Sequence, residues 1–159
     1  MSRNQFTVIL SNFHVNNAVY IPRNKPGHDP MHKIRSFLDH LLTHLPASFS
    51  PNENLTIDES VCGYRGRLTF CGYIKNQSDK YGIKMSTVCD SKMQYVLRIE
   101  VYTSKGQQDS SIIGLFQRLL CGYLDKGHTI FMDRFYSTPD VFGFLWARKT
   151  KAVSTCIPN

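Results

Sequence analysis

Two aspartates stand out by what precedes them. Asp58 follows the short apolar run Asn54–Ile57, and Asp133 follows the compact run His128–Met132. Each run reads as a strand, so each carboxylate falls at a strand end. In a sheet with helices packed on it, carboxylates at the ends of neighbouring strands converge over one edge, where ligands bind. Two such Asp residues can bridge Mg²⁺ ions about 3.5–4 Å apart, which activates an attacking hydroxyl and steadies a leaving oxygen in phosphodiester displacement. A strand-end Asp is also a common turn or capping residue, and spacing alone leaves both roles open. Glu59, Asp90 and Asp109 fall in loops or just off strand ends and read as ordinary solvated acids.

Basic residues gather after the first Asp. Arg65 and Arg67 lie in C-G-Y-R-G-R, followed by Lys75, Lys80 and Lys84, with Tyr64, Phe70, Tyr73 and Tyr81 interleaved. Guanidinium groups offer bidentate contact to phosphate, and aromatic rings can stack on unpaired bases. The same stretch also reads as a polar loop whose aromatics belong to the core. A second basic patch, Arg148-Lys149-Thr150-Lys151, closes a helix and complements its dipole. There is no G-x-S-x-G, no P-loop and no G-x-G-x-x-G. His32, Ser36, His40 and His44 recur four apart along one helix, which is metal-ligand spacing. No Cys or Glu completes that set nearby, and a solvated polar face accounts for it. Five cysteines without a C-x-x-C pair read as single thiols rather than a disulfide framework or zinc site.

The elements that must position these groups fall into two parts. Residues 1–45 read as helical with an irregular middle. Gln5 to Phe13 suggests a helix, although Val8-Ile9-Leu10 suits a strand equally well. After Pro30, Ile34, Phe37, Leu38, Leu41, Leu42 and Leu45 form a continuous helical stripe that Pro46 ends. Residues 46–159 alternate β and α. A first strand is followed by a hairpin of Tyr81–Val88 and Tyr95–Tyr102, then a helix from Ser110 or Ser111 to Leu124. The strand before Asp133, a helix opened by Ser137 or Thr138 with Pro139, and a last strand from Lys151 to Ile157 complete the order. That order (β, β-hairpin, α, β, α, β) predicts a mixed α/β sheet with helices packed on it, preceded by a helical segment. The 159 residues amount to one domain and a fraction, and 19 Lys and Arg against 12 Asp and Glu give a net +7 that favours a polyanionic partner. No run approaches the roughly 18–20 apolar residues of a membrane span, and no secretory signal is evident.

Several blocks in order carry a family resemblance. L-T-I-D-E-S-V-C-G-Y-R-G-R (55–67), K-Y-G-I-K (80–84), C-D-S-K-x-x-Y-V-L (89–97), G-H-T-I-F-M-D-R-F-Y-S-T (127–138) and K-T-K-A-V-S-T (149–155) resemble the piggyBac transposase family. The helix M-H-K-I-R-S-F-L-D-H-L (31–41) is similar to the segment preceding that family's catalytic core. The resemblance implies an RNase H-like catalytic domain over 51–159, incomplete here, after a helical dimerisation and DNA-binding segment over 1–50. It implies three catalytic Asp residues, of which Asp58 in T-I-D-E-S and Asp133 in M-D-R-F-Y-S match the first two. It further implies Mg²⁺ (or Mn²⁺), cleavage and strand transfer at TTAA targets, a nuclear location and possible homodimers. The third carboxylate and a zinc-binding cysteine-rich domain would lie beyond Asn159. Where the family usually has Asn after the second Asp, this chain has Arg134, a cation that either competes with the metal or points at a phosphate.

Two expectations follow. One is a transposase catalytic fragment that holds two of three carboxylates and is inactive alone. The other is a non-enzymatic DNA-binding or interaction module domesticated from a transposable element. Either would use Arg65, Arg67, Lys75, Lys80, Lys84 and Arg134 toward DNA, without membrane or small-molecule substrate.

Overall fold

A computed structural model describes residues 1–16, 19–22, 24–64, 66, 68–73, 81–103 and 111–155. The chain divides into two compact units, Met1–His44 and Leu45–Asn159.

In the first unit, α1 (Arg3–Ser11) opens with a capping box: Gln5 N donates to the Ser2 hydroxyl, and Ser2 N donates back to the Gln5 side chain at 2.9 Å. The helical alternative for this segment is therefore the one adopted. None of its residues is buried, and Phe6, Val8, Ile9 and Leu10 stand more than half exposed. Helix α2 (Arg35–Ala47) starts where Asp29 receives both Arg35 Nε and Nη2 at 2.7 Å. It runs one residue past Pro46. Its apolar stripe is not fully covered: Phe37 is 52% exposed. His40 and His44 stack at 3.9 Å between ring centroids.

The second unit is built on β1 (Asn54–Gly63), β2 (Cys71–Tyr73), β3 (Tyr81–Asp90), β4 (Val96–Val101), β5 (Thr129–Met132) and β6 (Lys151–Ser154). Helices α3 (Ile112–Leu119) and α4 (Pro139–Ala147) flank β5 in the chain. The strand order is β2-β3-β1-β5-β6, with β4 also on β3. The β1–β3 and β3–β4 pairs are antiparallel, and β1–β5 and β5–β6 are parallel. Strand β1 is thus the seam between an antiparallel half and a parallel half.

The apolar pattern decides which face is covered. Leu55 and Ile57 of β1 pair in register with Ile130 and Met132 of β5, and all four are buried. Against that face lie Phe116, Leu119 and Leu120 from α3 and its end, and Val141 and Leu145 from α4. Full burial of such side chains is worth about 1.5–3 kcal/mol each. Thr138 caps α4 and Pro139 opens it, as the sequence predicts. Helix α3 is capped by Ser111 but stops at Leu119, short of Leu124. Gly122, Asp125 and Gly127 all take positive φ there, so the chain turns rather than continuing the helix. The alternate residues Thr56 and Phe131 face the other way, and Phe131 and Val153 remain 36% and 46% exposed.

Candidate active site

The parallel register brings the two sequence-predicted acids together. Asn54, Leu55, Thr56 and Ile57 pair with Thr129, Ile130, Phe131 and Met132, so the next residues in line are Asp58 and Asp133. Adjacent strands lie about 4.8 Å apart. Both acids have the parity of half-buried Thr56 and exposed Phe131, and both are exposed on the face that α3 and α4 leave open. They line one open groove of about 450 Å³, whose wall continues through Val153, Ser154 and Thr155 after β6.

Asp58 departs from its predicted local setting. It is the fifth residue of a ten-residue strand, not its end. The parallel ladder with β5 stops at Ile57, but antiparallel pairing with β3 continues to Gly63. Asp58 therefore sits where β1 loses its neighbour on one side only. Its Oδ1 accepts from Glu59 N at 2.7 Å, and its carbonyl accepts from the Thr87 hydroxyl. Asp133 directly follows β5 and precedes the 3₁₀ turn Arg134–Tyr136, and its side chain makes no capping bond to that turn. Cys89 is a titratable group whose surroundings include Asp58. Burial pushes its thiol up, with the Asp58 charge adding to this against a Thr87 hydrogen bond, so it stays protonated.

Glu59 and Asp90 are not the solvated acids they resemble in sequence. Glu59 has the parity of Leu55 and Ile57 and turns toward the helix-covered face, where it pairs with Lys84 Nζ at 2.7 Å. Asp90 is fully buried and accepts from Asn52 N, Met93 N and Lys92 N at 2.7, 2.7 and 3.0 Å. Burial alone would raise its pKa, yet those hydrogen bonds together outweigh burial and hold the carboxyl below its ordinary range. It closes the β3–β4 hairpin. Both roles have a sequence signal: Glu59 keeps the core parity of its strand, and Asp90-Ser91-Lys92 is an Asx-type turn.

Of the predicted DNA-contacting residues, Arg65, Arg67, Lys75 and Lys80 lie outside the described residues, as does Asp109. Lys84 is occupied by Glu59 and lies 5.6 Å over the Phe135 ring, away from the groove. Arg134 is exposed immediately after Asp133 and makes no ion pair among the described residues. Sequence reasoning passed over Tyr136, which is 1% exposed and whose hydroxyl donates to Glu59 Oε1 at 3.3 Å. Burial, opposed by a Ser86 hydrogen bond and reinforced by Glu59 and the Asp58 charge, pushes that phenol far up, so it remains a donor.

Two carboxylates side by side in an open groove suit a hard divalent cation that takes oxygen ligands. Among the described residues no third His, Cys, Asp or Glu joins them.

A family model described as Transposase IS4 matches residues 1–159. The chain belongs to the piggyBac-type Transposase IS4 family. Among solved structures it is similar to a piggyBac transposase, determined as a synaptic complex with hairpin DNA, at a TM-score of 0.88 and 26% identity. That match covers 100% of this chain and 34% of the other, so the chain spans about a third of the length of this relative. The predicted RNase H-like mixed sheet is thereby established, with β2 as a strand the sequence reading did not include. No helix among the described residues is long and apolar enough to cross a membrane.

Proposed function

We propose that residues 51–159 are part of the catalytic domain of a DNA transposase, with Asp58 and Asp133 as two of its metal-binding carboxylates. The observation that carries this is their adjacency in register on the uncovered face, within a fold matching a piggyBac transposase. Asp58 and Asp133 would hold Mg²⁺ or Mn²⁺, which when bound supplies a Lewis acid for phosphodiester displacement. The chain's own part is to hold both carboxylates on neighbouring strands and to keep the groove open to a polymer. Arg134, exposed beside Asp133 and without an ion pair among the described residues, would meet a phosphate. The helical residues 1–50 belong in this reading to a dimerisation and DNA-binding segment, and the setting is the nucleus.

These 159 residues by themselves supply two of the three carboxylates that the family resemblance implies. With one fewer ligand, a metal-assisted displacement loses much of its transition-state stabilisation. A second reading, DNA binding without chemistry, draws on the net charge of +7. One experiment addresses both. TTAA-containing hairpin DNA is incubated with the chain and Mg²⁺ or Mn²⁺, while affinity is followed from 50 to 200 mM salt, a range over which several phosphate contacts lower it by about 10³ or more. The expected result is binding that falls steeply with salt, and no cleavage. Cleavage that vanishes in Asp58→Ala would contradict inactivity, and a flat salt response would contradict DNA as the partner.

A further inference from the structure

The groove acids belong to different strands, and what ties those strands together beyond the parallel ladder lies on the opposite face. The last β1–β5 pair is Ile57 with Met132, so the paired residues end one short of the two acids. One residue beyond Asp58, Glu59 passes through to the helix-covered face. Three residues beyond Asp133, Tyr136 reaches the same place and donates to Glu59 Oε1 at 3.3 Å. The turn that carries it is fixed at both ends. Tyr136 N donates to Asp133 O at 3.0 Å, and its ring meets Phe116 and Phe135 edge-on at 5.4 and 5.1 Å. Lys84 closes the arrangement by pairing with Glu59 at 2.7 Å while lying over Phe135.

We infer that the Tyr136–Glu59 hydrogen bond, with Lys84 as counter-ion, is a positioning device that sets the separation of the Asp58 and Asp133 carboxylates for a divalent cation. The inference rests on the proposal that this acid pair binds the cation. The path from one carboxylate to the other runs through Glu59, Tyr136 and the turn, and it forms a closed ring with the Ile57–Met132 pairing. Opening the ring lets the turn shift and leaves Asp133 without a fixed distance to Asp58. Partners that orient metal-binding side chains typically contribute about 10–100-fold to metal affinity.

The test is Mn²⁺ affinity of the whole chain, read from loss of the free-ion electron paramagnetic resonance signal, with far-UV dichroism confirming folding. Tyr136→Phe and Glu59→Gln are each expected to weaken binding about tenfold. The double variant should lose little more, since both open the same ring. Tyr95→Phe removes a comparable hydroxyl, one that donates to Leu45 O at 3.1 Å, and should leave affinity unchanged. If Asp58→Ala abolishes binding while Tyr136→Phe retains the parent affinity, the positioning role is overturned and the acid pair stands. Binding by Asp58→Ala equal to the parent, or no binding by the parent, overturns the acid pair and the inference with it.

Discussion

Four acids in the second unit show how little a residue type says until its neighbours are known. Asp58 and Asp133 are exposed and side by side, Glu59 is neutralised by Lys84, and Asp90 is buried under hydrogen bonds from backbone and Asn52. The pair at the groove was legible in sequence because each Asp ends an apolar run, and a parallel pairing of those runs must align them. Glu59 and Asp90 carry only a local signal, strand parity and an Asx-type turn, while Lys84 and Asn52 come from 25 and 38 residues away. Asp90 yields a sharp expectation. Asp90→Ala leaves buried N–H groups without acceptors and should destabilise the chain by about 2–4 kcal/mol, measured by urea unfolding. The pH dependence follows from its lowered pKa. The folded state binds this proton less readily than the unfolded chain, so the stabilisation is complete above the ordinary value of 3.8 and is lost as pH falls through the lower folded value. The gap between parent and Asp90→Asn should therefore stay constant near neutral pH and narrow in acid below that value.

At the scale of elements, β1 is the strand that matters most. The sequence predicts its end at Ile57, where the apolar run Asn54–Ile57 gives way to Asp58. Pairing with β3 overrides that change: Glu59 lies opposite Ser86 and gains Lys84, and the strand runs to Gly63. The β3–β4 hairpin and α4 were legible because their alternation, turn and cap are local. Helix α3 ends before the predicted Leu124, although apolar Leu120, Tyr123 and Leu124 stay in or against the core beyond it. The β1–β3 ribbon can be tested at Gly82, which pairs with Gly63. A Cβ there would clash with Cys62 O and meet Val61 Cγ1 at 2.6 Å. The contact is partly with backbone, so the strands themselves must part. Gly82→Ala should cost about 1–3 kcal/mol, whereas Gly72→Ala, where an added Cβ meets nothing within 4 Å, should be near neutral by the same unfolding measurement.

For the molecule as a whole, the covered and open faces of one sheet divide the labour. Helices α3 and α4 build the core on one side, and the acids, Phe131 and Val153 remain on the other. The family was legible from blocks scattered between residues 55 and 155, and the fold and the family model agree with it. The proposed polymer contacts were less so, because a basic residue in sequence can be spent internally, as Lys84 is on Glu59. The account turns on a divalent cation seated between Asp58 and Asp133. Fe²⁺ substituted for Mg²⁺, with ascorbate and peroxide, cuts a polypeptide where the metal is held. Cuts confined to the chain around Asp58 and Asp133, and suppressed by excess Mg²⁺, are expected. Cutting at the His40–His44 face instead, or none near the two aspartates, would contradict the site.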